Sequence, residues 1–222
     1  MIDNKLNFFF KRQIWHIGCL MLLFYAGYQT VNFENNSNVF LGIGAKNWFL
    51  FSMITPLLHQ VYVWLCWRSE LCWKTISRTI GFKGYVLIFF IIAILRLFSV
   101  GLCFADYGTW FTPGWIAWSI SVLIFVLFIY TIYSIKKYFG FMRATGIDHF
   151  DPSYKDMPFE KRGIFKWAPN AMYTFAIAVF FGFAISAGSK AMFVFAAYTY
   201  IGGWLHYFCT EKEDFKVIYG NN

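Results

Sequence analysis

Charged residues are scarce in this chain. They make up only 14% of its 222 residues, whereas hydrophobic residues make up 59%. A soluble domain usually carries about a quarter charged residues. So few charges cannot cover a water-facing surface of this size. The composition therefore excludes an ordinary soluble protein and indicates that lipid is the main solvent.

Cysteines are also few, and the motifs of common hydrolytic enzymes are missing. The five cysteines are odd in number and scattered, mostly within apolar runs. This spacing excludes a disulfide framework and a paired-cysteine metal site. The chain has no glycine-rich phosphate loop, no HExxH sequence and no nucleophile elbow. The sequence thus argues against nucleotide hydrolysis, zinc chemistry and serine hydrolysis, and we predict no metal ligand.

Six apolar runs take the place of these features. A helix needs about 20 residues to cross the hydrocarbon of a bilayer. We place the six spans near residues 13–31, 47–66, 84–104, 111–135, 171–187 and 191–209. The second is the weakest, because Pro56, His59 and Gln60 interrupt it. The predicted fold is an all-α polytopic membrane helix bundle with about six transmembrane helices.

The net charge of +8 is concentrated on one side of the predicted bundle. If the N-terminus is cytoplasmic, sixteen lysines and arginines fall in cytoplasmic segments, and only Lys46 and Lys190 fall in outer loops. This bias predicts cytoplasmic N- and C-termini. A basic rim beside the membrane suits anionic lipid headgroups. We therefore expect no nucleic-acid partner.

Two patterns near the N-terminus invite an interpretation that we do not adopt. Lys11-Arg12 before an apolar run resembles a signal peptide, but no small-residue cleavage site follows, so we predict an uncleaved first span. Asn35-Asn36-Ser37 fits a glycosylation sequon in form. The sequon matters only in a eukaryotic secretory compartment.

The last third of the chain contains the most informative pattern. A polar stretch, Lys136 to Pro169, precedes two apolar runs joined by Ala187-Gly188-Ser189, and polarity returns at Thr210. Because the turn is so short, the two spans run antiparallel, and their ends away from the turn lie at the same face of the membrane. Small residues recur along both runs, which predicts close helix packing. They are Ala178, Gly182 and Ser186 in the first run and Ala196, Thr199 and Gly203 in the second. We expect the polar stretch to meet the acidic segment that begins at Thr210 and ends at Asp214, called the acidic tail below.

Two histidine segments near these ends each have two interpretations. Asp148 and His149 could form a general base oriented by a carboxylate, or a turn or helix cap. His206 lies one turn before Thr210 and two turns before Glu213. It could belong to an interfacial belt or to the edge of a cofactor site.

Arg96 is the one charge placed deep in a predicted span. Intramembrane charges are candidates for function. The third span begins inside near Gly84, so Arg96 falls beyond the midplane, away from a cytoplasmic site. We expect a structural role, either reaching the interface or pairing with His59 or Gln60.

Residues from about 136 to 220 resemble the phospholipid N-methyltransferases, membrane enzymes related to isoprenylcysteine carboxyl methyltransferases. The matching pieces are Tyr138-Phe139-Gly140, Asn170-Ala171-Met172-Tyr173, Glu211, Phe215 and Ile218-Tyr219. The family's usual forms are Tyr-Phe-Gly, Asn- or His-Pro-Met-Tyr, and a Glu-Glu pair before an aromatic-glycine ending. Earlier residues match only as membrane spans. We divide the chain into residues 1–110, with transmembrane helices 1–3, and a methyltransferase core at residues 111–222.

The resemblance implies S-adenosylmethionine as methyl donor and a membrane phospholipid as acceptor. The leading function is N-methylation of phosphatidylethanolamine towards phosphatidylcholine. The site would face the cytoplasm, in a bacterial inner membrane or the endoplasmic reticulum. One alternative is methylation of another acceptor, such as a prenylated cysteine carboxylate, a small thiol or another lipid. The other is a non-catalytic membrane protein on a methyltransferase scaffold.

The resemblance also implies a set of site residues. The cofactor-binding candidates are Tyr138, Phe139, Gly140, Asn170, Met172, Tyr173, Tyr207, Glu211, Lys212 and Glu213. The candidate bases, in order of preference, are His149, Asp148 and His206. Two positions depart from the family pattern. Ala171 stands where the family has proline, and Lys212 stands where it has the second glutamate.

Overall fold

The computed structural model describes residues 4–33 and 38–220, and the sequon at residues 35–37 lies outside them. The described residues form eleven α-helices and one short antiparallel hairpin. The helices are α1 (Lys5–Phe10), α2 (Gln13–Thr30), α3 (Ala45–Trp73), α4 (Thr75–Arg78), α5 (Gly81–Leu97), α6 (Gly101–Ala105), α7 (Trp115–Ser134), α8 (Phe141–Ala144), α9 (Val179–Ala187), α10 (Lys190–His206) and α11 (Lys212–Ile218). The strands are β1 (Val39–Phe40) and β2 (Ile43–Gly44). Apart from this hairpin, the all-α prediction is confirmed.

Three helical segments of the described chain are long and apolar enough to cross a membrane. They are Ala45–Trp73, Gly81–Ala105 and Trp115–Phe139. They correspond to the second, third and fourth predicted spans. Pro56 lies inside α3 without ending it. The count of six spans and the cytoplasmic termini remain predictions.

Three π-helical turns occur beside the candidate site residues. They are Ile135–Phe139 after α7, Met172–Ala176 before α9, and Tyr207–Glu211 after α10. A π turn holds more residues than an α turn and is often found at functional sites. Each of these turns contains residues named from the sequence as site candidates.

A tight turn joins α9 and α10, as predicted. Gly188 has a φ of 57°, and a Cβ there would lie 2.0 Å from the Phe111 carbonyl oxygen. Only glycine fits this position. Asp106 holds the start of α10, because its Oδ2 accepts from the Ser189 hydroxyl at 2.6 Å and from the Ala191 amide at 2.9 Å.

The small residues of α9 and α10 do not all lie between these two helices. A Cβ on Gly182 would meet Phe125 of α7 at 2.9 Å, so this glycine lets α9 approach α7 instead of α10. A Cβ on Gly203 would meet Ile177 at 2.6 Å and Tyr173 at 3.3 Å. The close packing predicted for the pair is therefore shared with α7.

The core lies around α10, which packs against α2, α3 and α9, while α5 packs on α3 and α7 on α9. Its fully buried residues include Leu20, Phe49, Met53 and Phe195. One end of the bundle carries the 74–80 connection, the 136–170 segment and α11. This end is called the tail end below.

Candidate functional site

The two motif segments of the last third meet at the tail end. Tyr173 lies in the π turn before α9, and its hydroxyl donates a hydrogen bond to Oε2 of Glu211, which lies in the π turn after α10. The short turn between α9 and α10 is what returns both segments to one end. The predicted meeting of the Asn170–Tyr173 corner with the acidic tail is therefore observed.

Aromatic rings surround this hydrogen bond. The ring centre of Tyr173 lies 5.6 Å from that of Tyr207 and 5.9 Å from that of Trp204. Trp204 and Tyr207 are 5.8 Å apart, nearly perpendicular. Aromatic faces attract cations, and Glu211 adds a carboxylate. The three rings of Tyr173, Trp204 and Tyr207, called the aromatic group below, together suit the binding of a sulfonium or an ammonium cation.

A cavity of about 120 Å³ opens beside Tyr173. Its wall includes Tyr173, Gly203 and His206 from the C-terminal part, and His59 and Arg96 from the N-terminal part. His206 is only 5% exposed, and its buried Nδ1 has no hydrogen-bond partner. The cavity therefore contains an unpaired imidazole next to the aromatic group.

A wider cleft of about 370 Å³ adjoins this cavity and shares Tyr173 and Arg96 with it. It lies between α5, which contributes Ala93, and α7, which contributes Phe128 and Ile132. Both helices are among the segments able to cross a membrane. The cleft thus leads from the surface between two apolar helices to the aromatic group.

Burial governs the charge of Glu211. Removal from water is the largest influence and raises its pKa to about 7, helped by the nearby Asp148 and Asp214 carboxylates, while the Tyr173 hydrogen bond and His149 oppose the rise. A carboxyl group with this pKa exchanges its proton near neutrality. Its charge can therefore respond to a bound cation.

Behind the cavity lies a buried network of charged groups. The Arg68 guanidinium pairs with Oδ1 of Asp214, and Oδ2 of Asp214 lies 3.3 Å from Nε2 of His149. Nδ1 of His149 is 3.0 Å from Oδ1 of Asp148, whose Oδ2 accepts from Tyr219 at 2.7 Å. This network joins α3, the 136–170 segment and α11.

The network sets the charge of His149. Burial disfavours a charged imidazole, but the Asp148 and Asp214 carboxylates outweigh it and raise the pKa of His149 to about 9. For Asp148, burial likewise opposes the charged form, yet the hydrogen bonds from His149 and Tyr219 lower its pKa. The His149 ring stacks on Trp67, with centres 4.0 Å apart. Neither His149 nor Asp148 lines the cavity or the cleft described above.

The acidic tail divides into residues that face the site and residues that do not. Glu213 pairs with Lys11 at 2.6 Å and with Lys216 at 2.8 Å. Burial opposes its ionisation, but these lysines lower its pKa to about 2. Lys212 is exposed, with its ammonium 5.6 Å from the Phe208 ring. Of these neighbours, only Glu211 contacts Tyr173.

The Tyr-Phe-Gly piece and Asn170 lie at the edge of the site. Tyr138 has the Arg162 guanidinium over its ring at 5.2 Å, and Phe139 stacks on Phe165 at 5.2 Å. Gly140 has a φ of 93° and lets the chain turn from the π turn into α8. The Asn170 carbonyl accepts from the amides of residues 173 and 174. These four residues are placed to support the π turns, and Met172 lines the wider cleft.

Ala171, the first departure from the family pattern, occupies a position that proline also favours. It is the first helical residue before the π turn, with a φ of −57°. Proline fixes φ near −65° and is common at the first position of a helix. The backbone is therefore already in a conformation compatible with the family's proline.

Sequence reasoning missed the part played by residues 1–110. Gln13 donates to the Cys209 carbonyl and the Thr210 hydroxyl, both at 3.1 Å. His16 lies 2.8 Å from Oε1 of Gln60. The available signal was a polar residue within each of several apolar runs, since such residues face the bundle interior. In residues 4–33 and 38–220 no cluster of metal-ligating side chains occurs.

The expectation that Arg96 falls away from the candidate site is wrong. The Nε of Arg96 and the Nε2 of His59 are buried and have no hydrogen-bond partner. Both side chains instead line the cavity beside Tyr173. The predicted depth of Arg96 in the membrane was based on its backbone position and did not include the length of its side chain.

Comparison with known proteins agrees with this geometry. No curated protein and no solved structure matches the chain. A family model described as phospholipid methyltransferase matches residues 116–222, which include both motif segments and the tail. Through these residues, just under half of the chain, the protein is similar to the phospholipid methyltransferase family.

Proposed function

We propose that this protein transfers methyl groups from S-adenosylmethionine to phosphatidylethanolamine and its mono- and dimethylated forms, giving phosphatidylcholine. The observation that carries the proposal is the Tyr173–Glu211 hydrogen bond. It joins two family motif segments beside a cavity that continues into a cleft between two apolar helices. The family match and the apolar helices support a membrane methyltransferase acting on phospholipid.

The residues around Tyr173 fit the methyl donor. S-adenosylmethionine supplies an electrophilic methyl group on a sulfonium when bound. The rings of Tyr173, Trp204 and Tyr207 attract this cation, and Glu211 accepts from donor hydroxyl or ammonium groups. Binding a cation favours the ionised form of Glu211, whose pKa is about 7. The chain thus holds the donor by charge and orients it for in-line attack.

The acceptor amine must lose a proton before it can attack. His206 lines the cavity and has an unpartnered Nδ1, so we assign it the role of proton acceptor. His149 was preferred from the sequence, but both of its ring nitrogens face carboxylates and its ring lies behind Trp67. Asp148 belongs to the same network. In this proposal, His149 and Asp148 hold the acidic tail in position and do not take part in proton transfer.

Lipid analysis of a bacterium that lacks phosphatidylcholine tests the proposal. Expression of the full chain should produce mono-, di- and trimethylated phosphatidylethanolamine, measured by mass spectrometry. Isotope-labelled methionine should carry its label into the new headgroups, since methionine is the precursor of the donor. Absence of all three methylated lipids from cells that contain the folded protein would contradict the proposal.

A matched pair of variants completes the test. Glu211→Gln should abolish most of the methylated lipid, because the carboxylate at the aromatic group is lost. Asp156→Asn removes an exposed carboxylate of the 136–170 segment and should leave the lipid profile unchanged. Equal profiles for the two variants would show that Glu211 has no special role.

A further inference from the structure

One cation at the cavity has no anionic partner. The buried Nε of Arg96 makes no hydrogen bond, and its guanidinium lies 5.5 Å from the ring centre of Phe180. Within the described ranges no carboxylate forms an ion pair with it. An unpaired charge inside a membrane is costly and points to a ligand.

The side chain of Arg96 is directed toward the tail end. α5 starts at Gly81 near that end, and helical side chains lean toward the N-terminus of their helix. The Cα of Arg96 is about 22 Å along the helix from Gly81, but its side chain lines the cavity together with Phe89 and Tyr173. The guanidinium is therefore within the space that leads to the aromatic group.

The chemistry of the surrounding wall suits a lipid. The cleft between α5 and α7 is lined by apolar side chains apart from His59, Arg96 and Tyr173. His59 adds a second buried nitrogen without a partner, its Nε2. An apolar cleft with unpaired donors at its inner end matches acyl chains joined to an anionic group.

We propose that Arg96 binds the phosphodiester of a phospholipid whose acyl chains occupy the cleft between α5 and α7. Arginine binds phosphate oxygens through paired N–H groups and stays charged when buried. His59 is the second donor to the same phosphate. The identity of this lipid as the methyl acceptor rests on the proposed function.

This position of the phosphate directs the amine. Arg96 and Tyr173 line the same cavity, and in phosphatidylethanolamine two carbons separate the amine from the phosphate group. With the phosphate at Arg96, the amine extends toward Tyr173, His206 and Glu211. A residue outside the family match thus positions the acceptor for a site inside it.

Native mass spectrometry of the full chain in detergent micelles tests the assignment directly. Three lipids with identical acyl chains are compared: phosphatidylethanolamine, phosphatidylglycerol, which has a phosphate but no amine, and diacylglycerol, which has neither. The wild type should retain both phospholipids about tenfold more than diacylglycerol, the range of a charge-assisted hydrogen bond. Arg96→Gln should remove this advantage for both phospholipids. Lys83→Gln, an exposed cation of the same helix, should retain it.

Thermal unfolding separates binding from structure. Arg96→Gln should unfold at the same or a higher temperature than the wild type, because it removes a half-buried charge that has no carboxylate partner among the described residues. Arg96→Lys keeps the charge without the paired N–H geometry and should show an intermediate phospholipid advantage. If Arg96→Gln does not fold, the Arg96→Lys comparison decides the question.

Two results would overturn the assignment. One is an Arg96→Gln variant that keeps the phospholipid advantage; if this variant also loses affinity for S-adenosylhomocysteine, Arg96 lies at the donor carboxylate. The other is a wild type that retains the three lipids equally. A wild type that shows the phospholipid advantage but transfers no methyl group would confirm the phosphate site and reject the proposed function.

Discussion

Residues 116–222 carry the motifs by which the family is recognised, and the residues before them carry none, yet both parts line one cavity. The C-terminal part contributes Tyr173 and His206 to its wall, and Glu211 is the hydrogen-bond partner of Tyr173. The N-terminal part contributes Arg96, which has no carboxylate partner in the described chain, while Arg68 pairs with Asp214 behind the cavity. The difference teaches that chemistry and its electrostatic support come from separate parts of the chain.

The largest effect should come from the proposed base in the C-terminal part. His206→Gln should lower kcat about 10²- to 10⁴-fold, the usual contribution of a general base, while donor affinity stays within twofold. A methyl-transfer assay across pH checks this. Loss of donor affinity with unchanged kcat would mean that His206 binds the donor and does not move the proton.

The next effect should come from the N-terminal part and should concern folding. Arg68 and Asp214 are both fully buried. Arg68→Met leaves two carboxylates, Asp148 and Asp214, around the single cation His149, and this excess buried charge should cost about 3–5 kcal/mol. Thermal unfolding in detergent measures the loss. Adding Asp214→Asn removes the stranded charge and should recover much of the stability. Failure of that recovery would show that Arg68 acts through other contacts, such as the Cys209 carbonyl at 3.2 Å.

Replacing Glu211 should weaken binding of the methyl donor more than it lowers the stability of the fold. Glu211→Gln should weaken S-adenosylhomocysteine binding about tenfold or more, as expected for hydrogen bonds to a charged group. In the wild type, binding should strengthen as pH rises through 7, because Glu211 then loses its proton. Calorimetry at pH 6 and pH 8 measures both effects, with Asp156→Asn as the control. A pH dependence that survives Glu211→Gln would assign it to another group.

Gly203 tests how closely the aromatic group must be packed. Gly203→Ala would place a Cβ 2.6 Å from Ile177 and 3.3 Å from Tyr173, and such overpacking costs about 1–3 kcal/mol. Donor affinity should fall together with the unfolding temperature. Gly18→Ala on α2 meets nothing within 4 Å and is the matched control. Unchanged binding in Gly203→Ala would show that Tyr173 can shift freely.

The smallest effect should be the pH dependence of stability. The pKa of His149 is about 9 in the folded protein and has an ordinary value of 6.5, so its contribution is complete below pH 6.5 and is lost as pH rises to 9. The unfolding temperature should fall by a few degrees over that window, since Arg68 still pairs with Asp214. His149→Gln should reduce this slope. An unchanged slope would exclude His149 as its source.

Much of the architecture could be predicted from the sequence. Apolar runs of about 20 residues locate α3, α5–α6 and α7, and the Gly188–Ser189 turn predicts the return of α10 to Tyr173. These features are local, so composition and spacing are enough to identify them.

The ion pairs and the cavity wall could not be predicted in the same way. The Arg68–Asp214 pair spans 146 positions of the chain, and no local pattern reports which buried carboxylate meets which cation. Arg96 was misplaced because backbone depth was used for a side chain about 7 Å long that turns back along its helix. A buried charge shows that a partner or ligand is needed but does not indicate its position.

The three π turns affect how relatives of this chain should be aligned. Each π turn holds more residues than the α turn it replaces, at 135–139, 172–176 and 207–211. Deleting one residue there would restore α geometry with little rotation of the helix beyond it, because five residues of a π turn cover about the same angle as four residues of an α turn. Glu211 would then still face Tyr173. A relative with a one-residue gap in one of these turns should therefore be aligned across the gap, with its motif letters kept in register on both sides.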